Sequence, residues 1–218
     1  MSVEQIQIKP FSPALGAEVR GINLANGIDS TTYKAIRKAF LKFQVLFFKD
    51  QTEMAAETQI NIGKLFGDLH AHPAAPQMTG HPEIFEIHVQ KNSKVANGEF
   101  WHSDVSCDEE PPLGTMLQIH ILPESGGDTL FANSYAAYDA LSQPFKETLS
   151  NLTALHESEH VYRGRYSDRG VDDDGKLYPH AIHPVIRTHP ETGKKSIYVN
   201  RTFTTRINEL NETESRAI

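Results

Sequence analysis

Phe100-Trp101-His102-Ser103-Asp104-Val105-Ser106 is the stretch on which the reading of this chain turns. The segment reads as a strand, and side chains at i and i+2 of a strand share a face. The His102 imidazole and the Asp104 carboxylate are therefore expected to converge on one ion. A pair of this kind supplies most of a facial two-histidine, one-carboxylate iron site, in which the second histidine comes from far along the chain. The triplet alone is commonplace in a protein with 11 histidines, and its plain reading is a polar pair on a strand edge.

The surrounding sequence changes that balance. Pro111-Pro112-Leu113-Gly114 follows, then an apolar run through Leu122-Pro123, then Gly126-Gly127-Asp128-Thr129-Leu130-Phe131. Upstream stand Pro13-Ala14-Leu15-Gly16-Ala17-Glu18-Val19-Arg20-Gly21 and Gln44-Val45-Leu46-Phe47-Phe48. Downstream come His183-Pro184-Val185-Ile186-Arg187-Thr188-His189-Pro190 and Phe203-Thr204-Thr205-Arg206-Ile207. In this order, and over nearly the whole chain, these motifs closely resemble the taurine dioxygenase (TauD/TfdA) family of iron(II)- and 2-oxoglutarate-dependent oxygenases.

Composition sets the outer bounds. A chain of 218 residues with no repeat or low-complexity stretch suits one domain, residues 1–218, with a sizeable core. A hydrophobic fraction of 39%, 22% charged residues and a net charge of -7 describe an ordinary soluble protein, with no basic face to recruit nucleic acid or an anionic membrane. Cys107 is the only cysteine, so no internal disulfide can form, and no charged-then-apolar leader follows Met1. The expected location is the cytoplasm. A homo-oligomer stays open.

Along the chain, Ile6 and Ile8 alternate with polar residues as an opening strand. Ser30 can cap a helix to about Lys42 with Ile36, Ala39, Phe40 and Phe43 on one stripe, and Val45 to Phe48 reads as a buried strand. Thr52 reads as the cap of a second helix that ends at Gly67, and His70-Ala71-His72-Pro73 follows in a loop. Strands are expected at Glu83–Val89, Met116–Ile121 and Leu130–Ala132, with a turn at Asn97-Gly98. Helices are expected after Ser134 and from Pro144, on one outer face. Tyr166 to His180 reads as a polar loop or lid, and Thr188 to Val199 as a hairpin turning at Pro190-Glu191-Thr192-Gly193. The class is mainly β with flanking helices (α+β), fitting a β-sandwich or jelly-roll core. The resemblance implies the double-stranded β-helix form of that core, incomplete at the C-terminus.

For the site, the resemblance implies Fe(II) held by His102 and Asp104, with 2-oxoglutarate and O2 as cosubstrates. Thr129, otherwise an ordinary turn threonine, would bond a 2-oxoglutarate carboxylate. His72, otherwise a solvated loop histidine, would help hold the acidic head group of a small anionic organic substrate. Tyr162 and Phe203 fall where the family places aromatic pocket walls, although aromatics at random are more often core. Structural roles suit His183 and His189 better than ligation, and Asp172-Asp173-Asp174-Gly175 lacks the spacing of a calcium loop. Serine-hydrolase elbows, phosphate-binding loops and Cys-x-x-Cys pairs are absent from the sequence.

The expected activity is hydroxylation of a sulfonate, sulfate ester or carboxylate/aryloxyacid, with release of succinate and CO2. The rivals are a non-catalytic jelly-roll protein that binds small anions, and a cupin-like metalloenzyme that does not use 2-oxoglutarate. Taurine is not expected to be the best substrate, because Ala75 and Gly98 stand where taurine-specific relatives carry a tyrosine and an asparagine, with Asn97 as a one-residue substitute. The likeness stops at Ile218, before the family's distal iron histidine and its carboxylate-clamping arginines. The chain alone is thus expected to be a C-terminally truncated, incomplete catalyst; a short form recruiting His180 or His183 as third ligand is the alternative.

Overall fold

The computed structural model describes residues 6–90, 93 and 98–218, so Asn97 lies outside the described residues. The chain divides into two compact units, residues 1–69 with 116–133, and residues 70–115 with 134–218.

In the first unit, strand β1 (Gln7–Pro10) pairs antiparallel with β2 (Ala17–Arg20). Helix α1 (Ser30–Phe43) then carries the chain to β3 (Leu46–Phe48), which pairs parallel with β2, and α2 (Ala56–Lys64) follows. A parallel pair needs a long crossover, and α1 is that crossover. The alternation of β2 buries Ala17 and Val19 completely. Gly16 precedes it at φ 89, where a Cβ would come within 3.1 Å of the Phe47 ring, so both the backbone and the close approach require glycine. Leu24, Ile36, Met54 and Ile62 form the core of this unit, with Leu46, Phe48 and Phe66 packed against it.

Both helix starts differ from the sequence reading. Asp29, not Ser30, caps α1, accepting from the Thr32 N–H at 2.7 Å. Thr52 caps nothing: its hydroxyl accepts from Asn23 Nδ2 at 2.9 Å, and α2 begins four residues later with no side-chain cap. The expected strands at Met116–Ile121 and Leu130–Ala132 do not form. No ladder partner lies beside them among the described residues. The first is held instead by side chains, with the Met54 N–H donating to Gln118 Oε1 at 2.8 Å and Gln118 Nε2 donating back to the Met54 carbonyl at 3.1 Å.

The second unit opens with a hairpin of β4 (Gln77–Met78) and β5 (His81–Phe85), shorter than the strand expected to reach Val89. Helices α3 (Ser134–Asp139) and α4 (Gln143–Leu149) lead into β6 (Thr153–Glu157), then a one-turn helix α5 (Glu159–Tyr162). Next come β7 (His180–Pro184), the predicted hairpin as β8 (Ile186–Thr188) and β9 (Lys195–Ile197), then β10 (Thr204–Ile207) and α6 (Glu212–Ala217). Strand β6 is the centre of an antiparallel sheet in the order β10-β6-β7, none of whose strands was expected from the sequence. One face of β6 buries Ala154 and His156 completely. Ala154 joins Leu149, Leu152, Val185, Ile186 and Ile207 in one cluster; Ala74, Ala75, Val105, Cys107, Tyr162, Tyr166 and Phe203 form another, which carries the candidate site.

Candidate functional site

Residues 101–103 adopt no strand, and 104–107 form a turn. The expected pleat is therefore not what brings His102 and Asp104 together. Val105 sits at φ 48, a left-handed backbone rare for a β-branched residue, and this reverses the chain directly after Asp104. The convergence itself is present: His102 Nε2 lies 3.1 Å from Asp104 Oδ1.

The remaining polar atoms of the pair are occupied in a useful way. His102 Nδ1 lies 2.7 Å from the Phe100 carbonyl, an acceptor only, so Nδ1 carries a proton, while Nε2 donates to Asp104 and would have to give up that proton to ligate an ion. Asp104 Oδ2 accepts from the Thr115 hydroxyl at 2.5 Å, which leaves Oδ1 facing the imidazole. The His102 pKa is raised, mainly by the hydrogen bond to Asp104; the Asp104 pKa is lowered, mainly by the same bond from His102. Metal bonds of about 2.1 Å meeting at a right angle hold two donors about 3.0 Å apart, so the pair fits a divalent ion in an octahedral site. Outer partners of the kind Phe100 and Thr115 provide are what orient ligands in metal sites. Among the described residues no third histidine, cysteine or carboxylate joins them. His183 is engaged elsewhere, its Nε2 donating to the Asp108 carbonyl at 2.9 Å.

His72, Tyr162 and Phe203 do come together. The His72 ring packs on Tyr162 at 4.9 Å between centroids and on Phe85 at 5.1 Å, and Tyr162 packs on Phe203 at 5.8 Å. Backbone N–H groups of Ala74 and Ala75 donate to His72 Nδ1 at 3.1 and 2.9 Å, so the proton of this ring is on Nε2. Burial, then the neighbouring His70, lowers the His72 pKa to about 4, and the ring is neutral at ordinary pH. Burial likewise pushes the Tyr162 phenol far above its usual range. Ala75 is buried in this cluster, and Gly98, at φ 85, lies where a Cβ would be 3.8 Å from His102 Cε1. Thr129 belongs to the first unit, exposed in the irregular segment after Gly126 and Gly127.

Sequence reasoning missed Phe85, Tyr166 and Thr115. Thr115 had a signal in its place directly after Pro111-Pro112-Leu113-Gly114; the two aromatics had none. His189 accepts from the N–H groups of Glu191 and Thr192, shaping the hairpin turn, and Asp173 organises its loop by accepting from Tyr178 and Gly164.

The model of the taurine catabolism dioxygenase TauD, TfdA family matches residues 7–218. The chain belongs to this family. An alkylsulfatase of Acinetobacter baylyi is 34% identical over 92% of this chain and 64% of its own length. An alpha-ketoglutarate-dependent sulfate ester dioxygenase of Pseudomonas putida is 32% identical over 93% of this chain and 68% of its own length. A crystal structure of a taurine dioxygenase from Burkholderia xenovorans superposes with a TM-score of 0.74 and 29% identity, covering 97% of this chain and 70% of that one. This TauD/TfdA chain thus spans about two thirds of the length of these relatives.

Proposed function

We propose that this TauD/TfdA chain carries the metal-binding and substrate-binding part of an Fe(II)- and 2-oxoglutarate-dependent dioxygenase that hydroxylates a small anionic organic substrate, with release of succinate and CO2. The observation that carries the reading is the His102–Asp104 pair, 3.1 Å apart, with every other polar atom of the two side chains occupied. Family membership supports the same chemistry. So does the relative named for sulfate esters.

Iron would supply the activation of O2, coupled to decarboxylation of 2-oxoglutarate. The chain's own residues hold and orient. His102 Nε2 and Asp104 Oδ1 ligate, while Phe100 and Thr115 keep their rings and planes in place. His72 offers a neutral Nε2–H toward the anionic head group, and Phe85, Tyr162 and Phe203 wall off an apolar space beside it. Thr129 donates to a 2-oxoglutarate carboxylate. The strands belong to a double-stranded β-helix core within one dioxygenase domain spanning residues 1–218. The enzyme works in the cytoplasm, where buried Cys107 needs no partner.

The test is succinate formation by an enzyme containing this chain, supplied with Fe(II), 2-oxoglutarate and a panel of sulfate esters, sulfonates and aryloxyacids. Substrate-dependent succinate is expected. Metal binding without 2-oxoglutarate consumption on any member would overturn the proposal.

A further inference from the structure

The two flanks of the His102–Asp104 pair are tied to one short turn, residues 200–203, by side chains that neither ligate nor line the proposed pocket. On the far side of Asp104, Ser106 is completely buried, and its Oγ accepts from Asn200 Nδ2 at 3.0 Å. On the near side of His102, the Thr202 hydroxyl donates to the Trp101 carbonyl at 3.3 Å. Asn200 also shapes its own turn: its Oδ1 accepts from the N–H groups of Thr202 and Phe203 at 3.1 and 2.9 Å. Phe203 is thereby placed against Tyr162.

A second anchor holds the arrangement to the sheet. Ser106 uses its oxygen to accept from Asn200, so its hydroxyl proton is left for His156 Nδ1, 3.0 Å away and completely buried on β6. The ring is then protonated at Nε2, which lies 3.4 Å from Thr204 Oγ1. Thr204 Oγ1 in turn accepts from the Asn200 N–H at 2.9 Å. The circuit Asn200–Ser106–His156–Thr204 closes on itself, with a proton for each bond.

Such a closed circuit, with Ser106 and His156 completely buried and Asn200 and Thr204 half-buried, is costly to interrupt. It lies next to Val105, whose left-handed backbone persists only if its surroundings over-determine it.

We propose that Asn200, Ser106 and Thr202 are positioning residues that strap the turn bearing His102 and Asp104 to the turn bearing Phe203, so that the metal ligands and the substrate wall are set by one hydrogen-bonded network. The proposal rests on the metal reading of His102 and Asp104, and it deepens that reading by assigning what holds the pair.

Trp101, the chain's only tryptophan, is half-exposed beside His102 and reports on this segment without any metal. The experiment uses the chain in the variants Ser106→Ala, Asn200→Ala, Thr202→Val and Thr202→Ser, with His102→Ala as a control for the metal site and Leu149→Ala as a control that damages the separate apolar cluster. Two readouts are taken: acrylamide quenching of Trp101, and titration with Co(II) alone.

Ser106→Ala and Asn200→Ala are expected to raise the Co(II) dissociation constant about 10-fold, the usual loss when a group orienting a ligand is removed, and to increase quenching of Trp101. Thr202→Val should increase quenching and Thr202→Ser should restore the parent value. Leu149→Ala should lower the unfolding midpoint and leave both readouts at parent values. Parent-like quenching and affinity in Ser106→Ala would overturn the strap, and so would equal changes in Leu149→Ala. If quenching responds as expected while Co(II) binding is indifferent to His102→Ala, the strap is supported and the metal reading is the part that fails.

Discussion

Replacing His156 by phenylalanine isolates a pH dependence that the fold writes into one buried ring. In the folded chain, burial and then the neighbouring His183 lower the His156 pKa from 6.5 to about 4. The unfolded chain binds this proton below pH 6.5 and the folded chain only below about 4, so stability is lost as the pH drops through that window. At pH 5 the difference amounts to about 2 kcal/mol, and below pH 4 it approaches about 3 kcal/mol. His156→Phe keeps a ring to stack on Tyr198, 5.6 Å away, but leaves the Ser106 hydroxyl without its acceptor. At pH 7.5 the variant should be less stable by about 1–3 kcal/mol. It no longer loses stability through this histidine on acidification, so the gap to the parent should shrink by about 2 kcal/mol on going to pH 5. Urea unfolding at a series of pH values measures the gap directly. A gap that stays constant from pH 7.5 to pH 5 would refute the reasoning.

His102→Ala and Asp104→Ala should each abolish Fe(II)-dependent 2-oxoglutarate turnover in an enzyme containing this chain. Their unfolding midpoints should stay near the parent's, because the two side chains are 31% and 50% exposed; circular dichroism melts beside turnover assays check both. In a competition among sulfate esters, sulfonates and aryloxyacids, taurine should not lead, since the side chain of buried Ala75 offers no hydrogen bond and Gly98, at φ 85, has no side chain to reach a head group beside His102; taurine heading the panel would contradict this. Asp29→Ala should lower the thermal midpoint while Ser30→Ala leaves it unchanged, because Asp29 alone caps α1; equal effects would return the cap to Ser30.

The helix stripe at Ile36 and Ala39 and the hairpin around Gly193 were legible because their periods and turn residues are undiluted. The central sheet was not. In β6 a histidine occupies the inward position that an apolar residue usually takes, and in β7 the pattern is inverted: Ala181 and His183 are buried while Ile182 is 61% exposed. Period-two reasoning cannot find such strands. Residues 117–121 show the opposite failure, since Leu117, Ile119 and Ile121 look like a strand but are exposed and unpaired among the described residues. The proximity of His102 and Asp104 was expected from the wrong cause, a turn at Val105 standing where a pleat was expected. His72, Tyr162 and Phe203 came from resemblance alone, because a contact between residues so far apart in the chain leaves no local trace.

If His72 holds the substrate as proposed, the two backbone donations into its Nδ1 bear on how that substrate arrives as well as on how it is held. A neutral N–H is a directional contact that acts only at close range, so it cannot draw an anion in from solution. The chain carries a net charge of -7, and an anionic substrate of the kind proposed would approach this chain against its overall field. Added salt weakens that repulsion as the Debye length contracts from about 30 Å at 0.01 M to about 8 Å at 0.15 M. The rate at which an anion associates with this chain by itself should consequently rise with ionic strength, opposite to the behaviour of a site that captures anions with exposed lysines or arginines.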